Sequence, residues 1–249
     1  MLSNGKQGKL IEKKRVLALP ELDPPKHVRL KFMKVGTLQY ISHLDLQRTF
    51  NRIINRACLP VWYTKGFNPH IKLVFSTPLS VGSESVCEYL DIRIDREMSC
   101  EEIVERLNAE MTEEFHIVEA YVPESDFSQI KWASYDISIH TTGASLQMAD
   151  NVRQVLTTSP LNLVKKTKAG EKEIDIVPLI YSVESKYNPD TQSIDIKTTV
   201  SASSTEYLNP EMLITGLKNK LGILSADPTE EYYSILRTQL FNEDMTEFR

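Results

Sequence analysis

Residues 27–60 read HVRLKFMKVGTLQYISHLDLQRTFNRIINRACLP. Val28, Leu30 and Phe32 alternate with Arg29, Lys31 and Met33, the period of two that marks a strand. Gly36 marks a turn, and residues 38–41 read as a short extended piece. Ser42 suits a helix N-cap, because its hydroxyl can accept a hydrogen bond from a backbone N–H in the first turn. Asp45 falls in that first turn, where the helix dipole favours negative charge. Leu46, Phe50, Ile53, Ile54 and Ala57 share one face at helical spacing, so the pattern predicts a helix ending near Ala57, stopped by Leu59-Pro60.

Extended segments follow at 61–63 and 71–75, with the loop 66–70 between them, and alternation returns over 86–94. Ser99 with Glu102 makes a capping box for a helix through Met111, and 115–122 is a closing strand. This order, β-α-β-β-α-β, is the ferredoxin-like arrangement. It recurs downstream: a strand at 132–140, a helix at 145–156 and a strand at 161–166. A hairpin of 174–183 with 194–200 then turns at Asn188-Pro189-Asp190. Asn209 as N-cap and Pro210 at the first helical position introduce a helix through Leu221, and 232–241 is the last strand. The expected fold is α+β, two ferredoxin-like halves with antiparallel sheets at 27–123 and 130–249, joined near 123–129. Residues 1–26 lack periodicity and carry Pro20, Pro24 and Pro25, so they read as a flexible tail.

Charge is distributed unevenly. Residues 26–78 hold nine Lys/Arg and one acid, Asp45, a net of +8, while the 249-residue chain carries −5; the remainder therefore carries −13. Like charges gathered in one region raise the energy of a fold, which points to a use for them. A hydrophobic content of 41% is ordinary for a globular chain, and no apolar run approaches the ~20 residues of a membrane helix. With no signal-peptide pattern at the start, a cytoplasmic protein without membrane attachment is expected. Cys58, Cys87 and Cys100 are far apart, without the spacing of a zinc or iron–sulfur site, so neither a metal nor a cofactor is expected.

Arg48, Arg52 and Arg56 recur every four residues, opposite the apolar helix face. Such a row matches a run of phosphates, since guanidinium groups bind them well, and it also suits a solvated charged face. Arg29 and Lys31 are expected on the sheet face away from the helices, with Lys72 and Arg93 able to join them and Tyr89 as a stacking surface. The loop Gly66-Phe67-Asn68-Pro69-His70 offers Lys65, Asn68, His70 and Lys72 for a phosphate or carboxylate, or simply fixes the turn between strands. His43 reads as a packing histidine. His43, His70 and Glu88, with Lys72 beside them, are the candidates for acid–base chemistry, and Glu84, Glu88 and Asp91 could join the two histidines as acid–base pairs or metal ligands; the spacing is not diagnostic, and no catalytic or metal motif fixes that reading.

Several of these segments together resemble the radical-SAM-linked protein family: Val28-Arg29-Leu30-Lys31-Phe32, Ser42-His43-Leu44-Asp45-Leu46, Gly66-Phe67-Asn68-Pro69-His70, Pro78-Leu79 through Gly82, Ser85, and Glu88-Tyr89-Leu90-Asp91. Glu173-Ile174-Asp175-Ile176 and Leu236-Arg237-Thr238 extend the resemblance more weakly. Ile71 stands where the family often has a second proline. Members occur fused to, or beside, a radical S-adenosylmethionine protein, often near an E/G-type ribonuclease, so the resemblance implies a separate radical enzyme as partner. This chain lacks the cluster cysteines of such an enzyme. The sequence thus points to an accessory RNA-binding module in RNA modification or processing. Two other readings stay open: an RNA- or nucleotide-directed enzyme using His43 and His70, and a protein-docking scaffold for the radical enzyme.

Overall fold

The alternation around Val28 belongs to a long strand, β1 (Glu21–Lys34), and the capped segment after it is helix α2 (His43–Arg56). The computed structural model describes residues 3–158, 160–167 and 170–249. The chain is α+β with mostly antiparallel pairing, and it divides into two units: residues up to Val81 with Ser85–Asp126 and Arg249, and Gly82–Glu84 with Phe127–Phe248.

In the first unit β1 lies between β3 (Ser83–Arg96, from Ser85 on in this unit) and β4 (Phe115–Tyr121), and the short β2 (Val74–Phe75) adds to β3. Val28, Leu30, Phe32, Leu90, Ile92 and Ile94 form one sheet face. Against it pack Leu46, Phe50, Ile53 and Ile54 of α2, and Ile103 and Leu107 of α3 (Cys100–Asn108). Phe50 is fully buried and meets Phe32, Phe75 and Phe115 edge-on, at centroid distances of 4.9, 5.8 and 5.2 Å, the geometry that aromatic quadrupoles favour.

The second unit contains β5 (Trp132–His140), α4 (Leu146–Thr157), β6 (Asn162–Thr167), β7 (Gly170–Asp175), β8 (Ile180–Asn188), β9 (Ser193–Ser201), α5 (Glu211–Leu221) and β10 (Tyr232–Phe241). Its sheet runs β10-β5-β9-β8, all antiparallel, and β6 pairs only with β7 as a separate hairpin. Leaving that hairpin aside, the order β-α-β-β-α-β recurs, and in both units the first strand of the set pairs with the third and the last. Tyr135, Ile137 and Ile139 are buried, as are Val152 and Leu156 of α4 and Leu213 and Leu217 of α5. Among the described residues no helix is long and apolar enough to cross a membrane.

Four expectations need correction. Residues 1–26 are not a flexible tail: apart from Met1 and Leu2, which lie outside the described residues, they hold helix α1 (Ser3–Leu17) and the start of β1. Helix α1 docks through buried Val16 and through ion pairs: Glu12 accepts from Arg106 at 2.6 Å, and Lys9 pairs with Glu110. Residues 36–40 form a 3₁₀ turn rather than an extended piece. The run 71–75 is a strand only at its last two residues, while 61–63 makes isolated bridges. The run 174–183 is split by a 3₁₀ turn at 177–179 containing Pro178, so β7 and β8 are separate.

Glu231 is a buried staple of the second unit. Its carboxylate accepts from the Ala226 N–H at 2.8 Å, the Thr141 hydroxyl at 2.6 Å and the Thr142 N–H at 2.7 Å, joining the end of β5 to the segment before β10. These hydrogen bonds, the one from Ala226 foremost, hold it at about 2 against an ordinary 4.5. A folded value below the free one means the stabilisation is complete above the free value and is lost as pH falls from there towards about 2. Glu231→Gln is therefore expected to be less stable than wild type at neutral pH, with the gap narrowing in acid. Urea unfolding at about pH 7 and about pH 3 checks this.

Candidate nucleic-acid interface

Burying Leu46, Phe50, Ile53 and Ile54 forces the opposite face of α2 outward, and that face carries Asp45, Arg48, Arg52, Asn55 and Arg56, all exposed. Ser42 caps the helix: its Oγ accepts from the Asp45 N–H at 3.2 Å and donates to Asp45 Oδ2 at 2.7 Å. Asp45 Oδ1 accepts from Arg48 at 3.3 Å. Ser42 and then Arg48 hold the Asp45 carboxyl below the usual range. Arg56 donates to Glu110 at 2.7 Å, and Glu110, paired also with Lys9, is likewise held low. The arginine row is thus graded: Arg48 and Arg56 are ion-paired, while Arg52 makes no ion pair among the described residues and only feels the Asp45 charge at longer range.

The loop after α2 is pinned at its base. The Thr64 N–H donates to the His70 carbonyl at 2.9 Å, the His70 N–H donates to Thr64 Oγ1 at 3.1 Å, and His70 Nδ1 lies 3.0 Å from the Asn68 carbonyl. Gly66 has φ +139°, a conformation that other residues rarely adopt. Ile71, just beyond, is buried in the core and anchors the exit. Between these fixed ends Lys65, Gly66, Phe67, Asn68, Pro69 and His70 are all exposed, Phe67 fully so. The Tyr63 hydroxyl donates to Asn55 Oδ1 at 3.1 Å, so the loop base is tied to the arginine side of α2. Helix and loop together present Arg52, Arg56, Lys65 and Lys72, and residues 46–83 contain no Asp or Glu.

The sheet residues do not join this surface. Arg29 is 1% exposed and forms a two-pronged pair with Asp91, at 2.7 and 2.8 Å, with further bonds to the Ser125 hydroxyl and carbonyl. It is a structural cation, not an exposed contact. Lys31 is half-buried with its ammonium 5.9 Å from the Tyr89 ring, and Tyr89, at 2% exposure, is no stacking platform. Arg93 lies over Trp62 at 5.2 Å. By strand alternation Arg29 and Lys31 occupy the face of β1 away from α2.

The acid–base candidates have different surroundings. His43 is exposed with its ring against Phe75 at 4.9 Å, His70 is engaged within its own loop, and Glu88 is buried opposite Phe32 in the β1–β3 register. Neither histidine bonds Glu88 among the described residues. No group of three or more His, Cys, Asp or Glu side chains among those residues is arranged to hold a metal ion. Sequence reading passed over Phe67. Its signal was an aromatic residue inside a glycine–proline turn, where neither strand nor helix periodicity offers it a core.

A concavity of about 380 Å³ lies in the second unit, lined by Glu84, Asp136, Ser138, Asp195, Lys197 and Ser234 among others. Burial opposes the Asp195 charge, but bonds from Asn188, Ser138 and Ser193 outweigh it and hold the carboxyl low. Its three carboxylates against one lysine disfavour phosphate there.

The chain matches, over residues 27–210, a protein family described as "Uncharacterized protein conserved in bacteria (DUF2344)". No curated protein matches it. Among solved structures it resembles a chain in "Crystal Structure of a Cbf5-Nop10-Gar1 Complex" at 13% identity and a TM-score of 0.44; the match covers 87% of this chain and 50% of that one, so this chain spans half of that chain's length. Nothing about function follows from a likeness at that score.

Removing Arg29 leaves Asp91 without its cation in a mostly buried site. Arg29→Ala is expected to cost about 3 kcal/mol of stability, because breaking a buried pair strands the other charge. Equilibrium urea unfolding against wild type measures it; a change within about 0.5 kcal/mol contradicts a structural role.

Proposed function

The chain belongs to this DUF2344 family, and we propose that it is an accessory RNA-binding protein whose contact surface is the outer face of α2 with the loop 64–72. The observation that carries the reading is the concentration of exposed cations on two joined elements in a stretch without a carboxylate after Asp45. Phosphate neutralisation by such cations supplies sequence-independent affinity and releases counterions. The acidic concavity of the second unit is unsuited to that role.

The motif resemblance supports the second part of the proposal: a separate radical S-adenosylmethionine enzyme acts on the RNA that this protein holds, in modification or processing. No hydrogen bond joins His43 or His70 to Glu88 among the described residues, and His70 is engaged within its own loop, which favours an accessory role over catalysis by His43 and His70. Co-purification of a radical enzyme in a complex dissolved by ribonuclease is the expected result; a complex that survives ribonuclease favours direct protein docking.

Arg52, Lys65 and Lys72 have no ion-pair partners among the described residues. Three phosphate contacts to a single strand give a slope of log K against log salt of about −2, and Arg52→Glu with Lys65→Glu removes two of them, leaving about −0.7. The double variant is expected to bind single-stranded RNA at least about 10-fold more weakly while unfolding within about 0.5 kcal/mol of wild type, since both side chains are exposed. Fluorescence anisotropy over a salt series measures both. Salt-insensitive binding, or equal binding by the double variant, contradicts the proposal.

A further inference from the structure

We propose that Phe67 is a base-stacking residue, so that the surface selects unpaired RNA — single strands or loops with an accessible base face — over duplex; the inference rests on the RNA-binding reading above. An apolar ring wholly in solvent gains nothing for the folded chain, and here it stands on a shaped loop. Gly66 at φ +139° and Pro69 set the turn, the Thr64–His70 bonds close it, and buried Ile71 holds its exit. The ring is therefore presented in advance, which lowers the ordering cost of a contact.

The surroundings favour a nucleotide over a protein pocket as the ring's partner. Lys65 and Lys72 flank the loop, the α2 arginines adjoin its base through the Tyr63–Asn55 bond, and no acid occurs between Asp45 and Glu84. Cations for the backbone with an aromatic face for the base is the combination by which proteins hold single strands. In duplex RNA the base faces are stacked on one another and closed to a side chain, so the same loop there engages phosphates alone.

The test compares an oligouridine of about 20 nucleotides with an RNA duplex of the same length, using the full chain as wild type, Phe67→Ala and Phe67→Tyr. Phe67→Ala is expected to weaken single-strand binding roughly 5- to 100-fold, leave the salt slope and the duplex affinity unchanged, and regain binding as Phe67→Tyr. The exposed position makes loss of folding a poor explanation, and an unchanged melting temperature checks that. Unchanged single-strand binding by Phe67→Ala, or an equal loss on duplex, overturns the stacking role while leaving the RNA reading intact. Failure of wild type to bind either RNA overturns the RNA reading itself and returns Phe67 to a protein contact.

Discussion

The first unit is organised by one packing constraint: Phe50 must be buried among Phe32, Phe75 and Phe115. That contact fixes the rotation of α2 about its axis. Once Leu46, Phe50, Ile53 and Ile54 face the sheet, the helical repeat leaves the arginines only solvent and the neighbouring polar side chains. The same core takes in Ile71, which fixes where the chain re-enters after its excursion and so where the loop 64–70 stands.

Electrostatics then sorts the cations into two kinds. Arg29 is enclosed and serves Asp91 and Ser125; its guanidinium fits a carboxylate in a way that a lysine ammonium would not. Arg48 and Arg56 remain at the surface with acids beside them, where an ion pair contributes little to stability and yields readily to a competing phosphate. Arg52, Lys65 and Lys72 carry their charge into solvent. In the second unit the polar sheet positions instead build a hydroxyl and amide cradle around Asp195, with carboxylates in excess. Of these two places, the α2 and loop surface is therefore the better suited to an anionic partner.

Much of this was legible in the residues. The strands read at 132–140 and 232–241 have those bounds in the structure, and α2 begins after the serine that its capping chemistry demands. What escaped depends on distant contacts. Helix α1 shows no apolar stripe; it is held by Val16 and by side-chain pairs to Arg106 and Glu110, nearly a hundred residues away. Alternation correctly placed Arg29 opposite Val28 and Leu30, but alternation assigns a face and not its exposure, and Ser125 helps to close that face over the guanidinium. The arginine row was readable from its spacing, whereas its partial neutralisation by Glu110 was not. Phe67 was overlooked because hydrophobic residues are ordinarily read for the core that they build.

The central claim is that RNA lies on α2 and the loop after it. Ultraviolet crosslinking of the protein to cellular RNA, followed by mass spectrometry of the nucleotide-bearing peptides, tests it most directly. The account predicts crosslinks on peptides carrying Tyr63 or Phe67. Crosslinks confined to the second unit, around Trp132, Tyr181 or Tyr232, would contradict it.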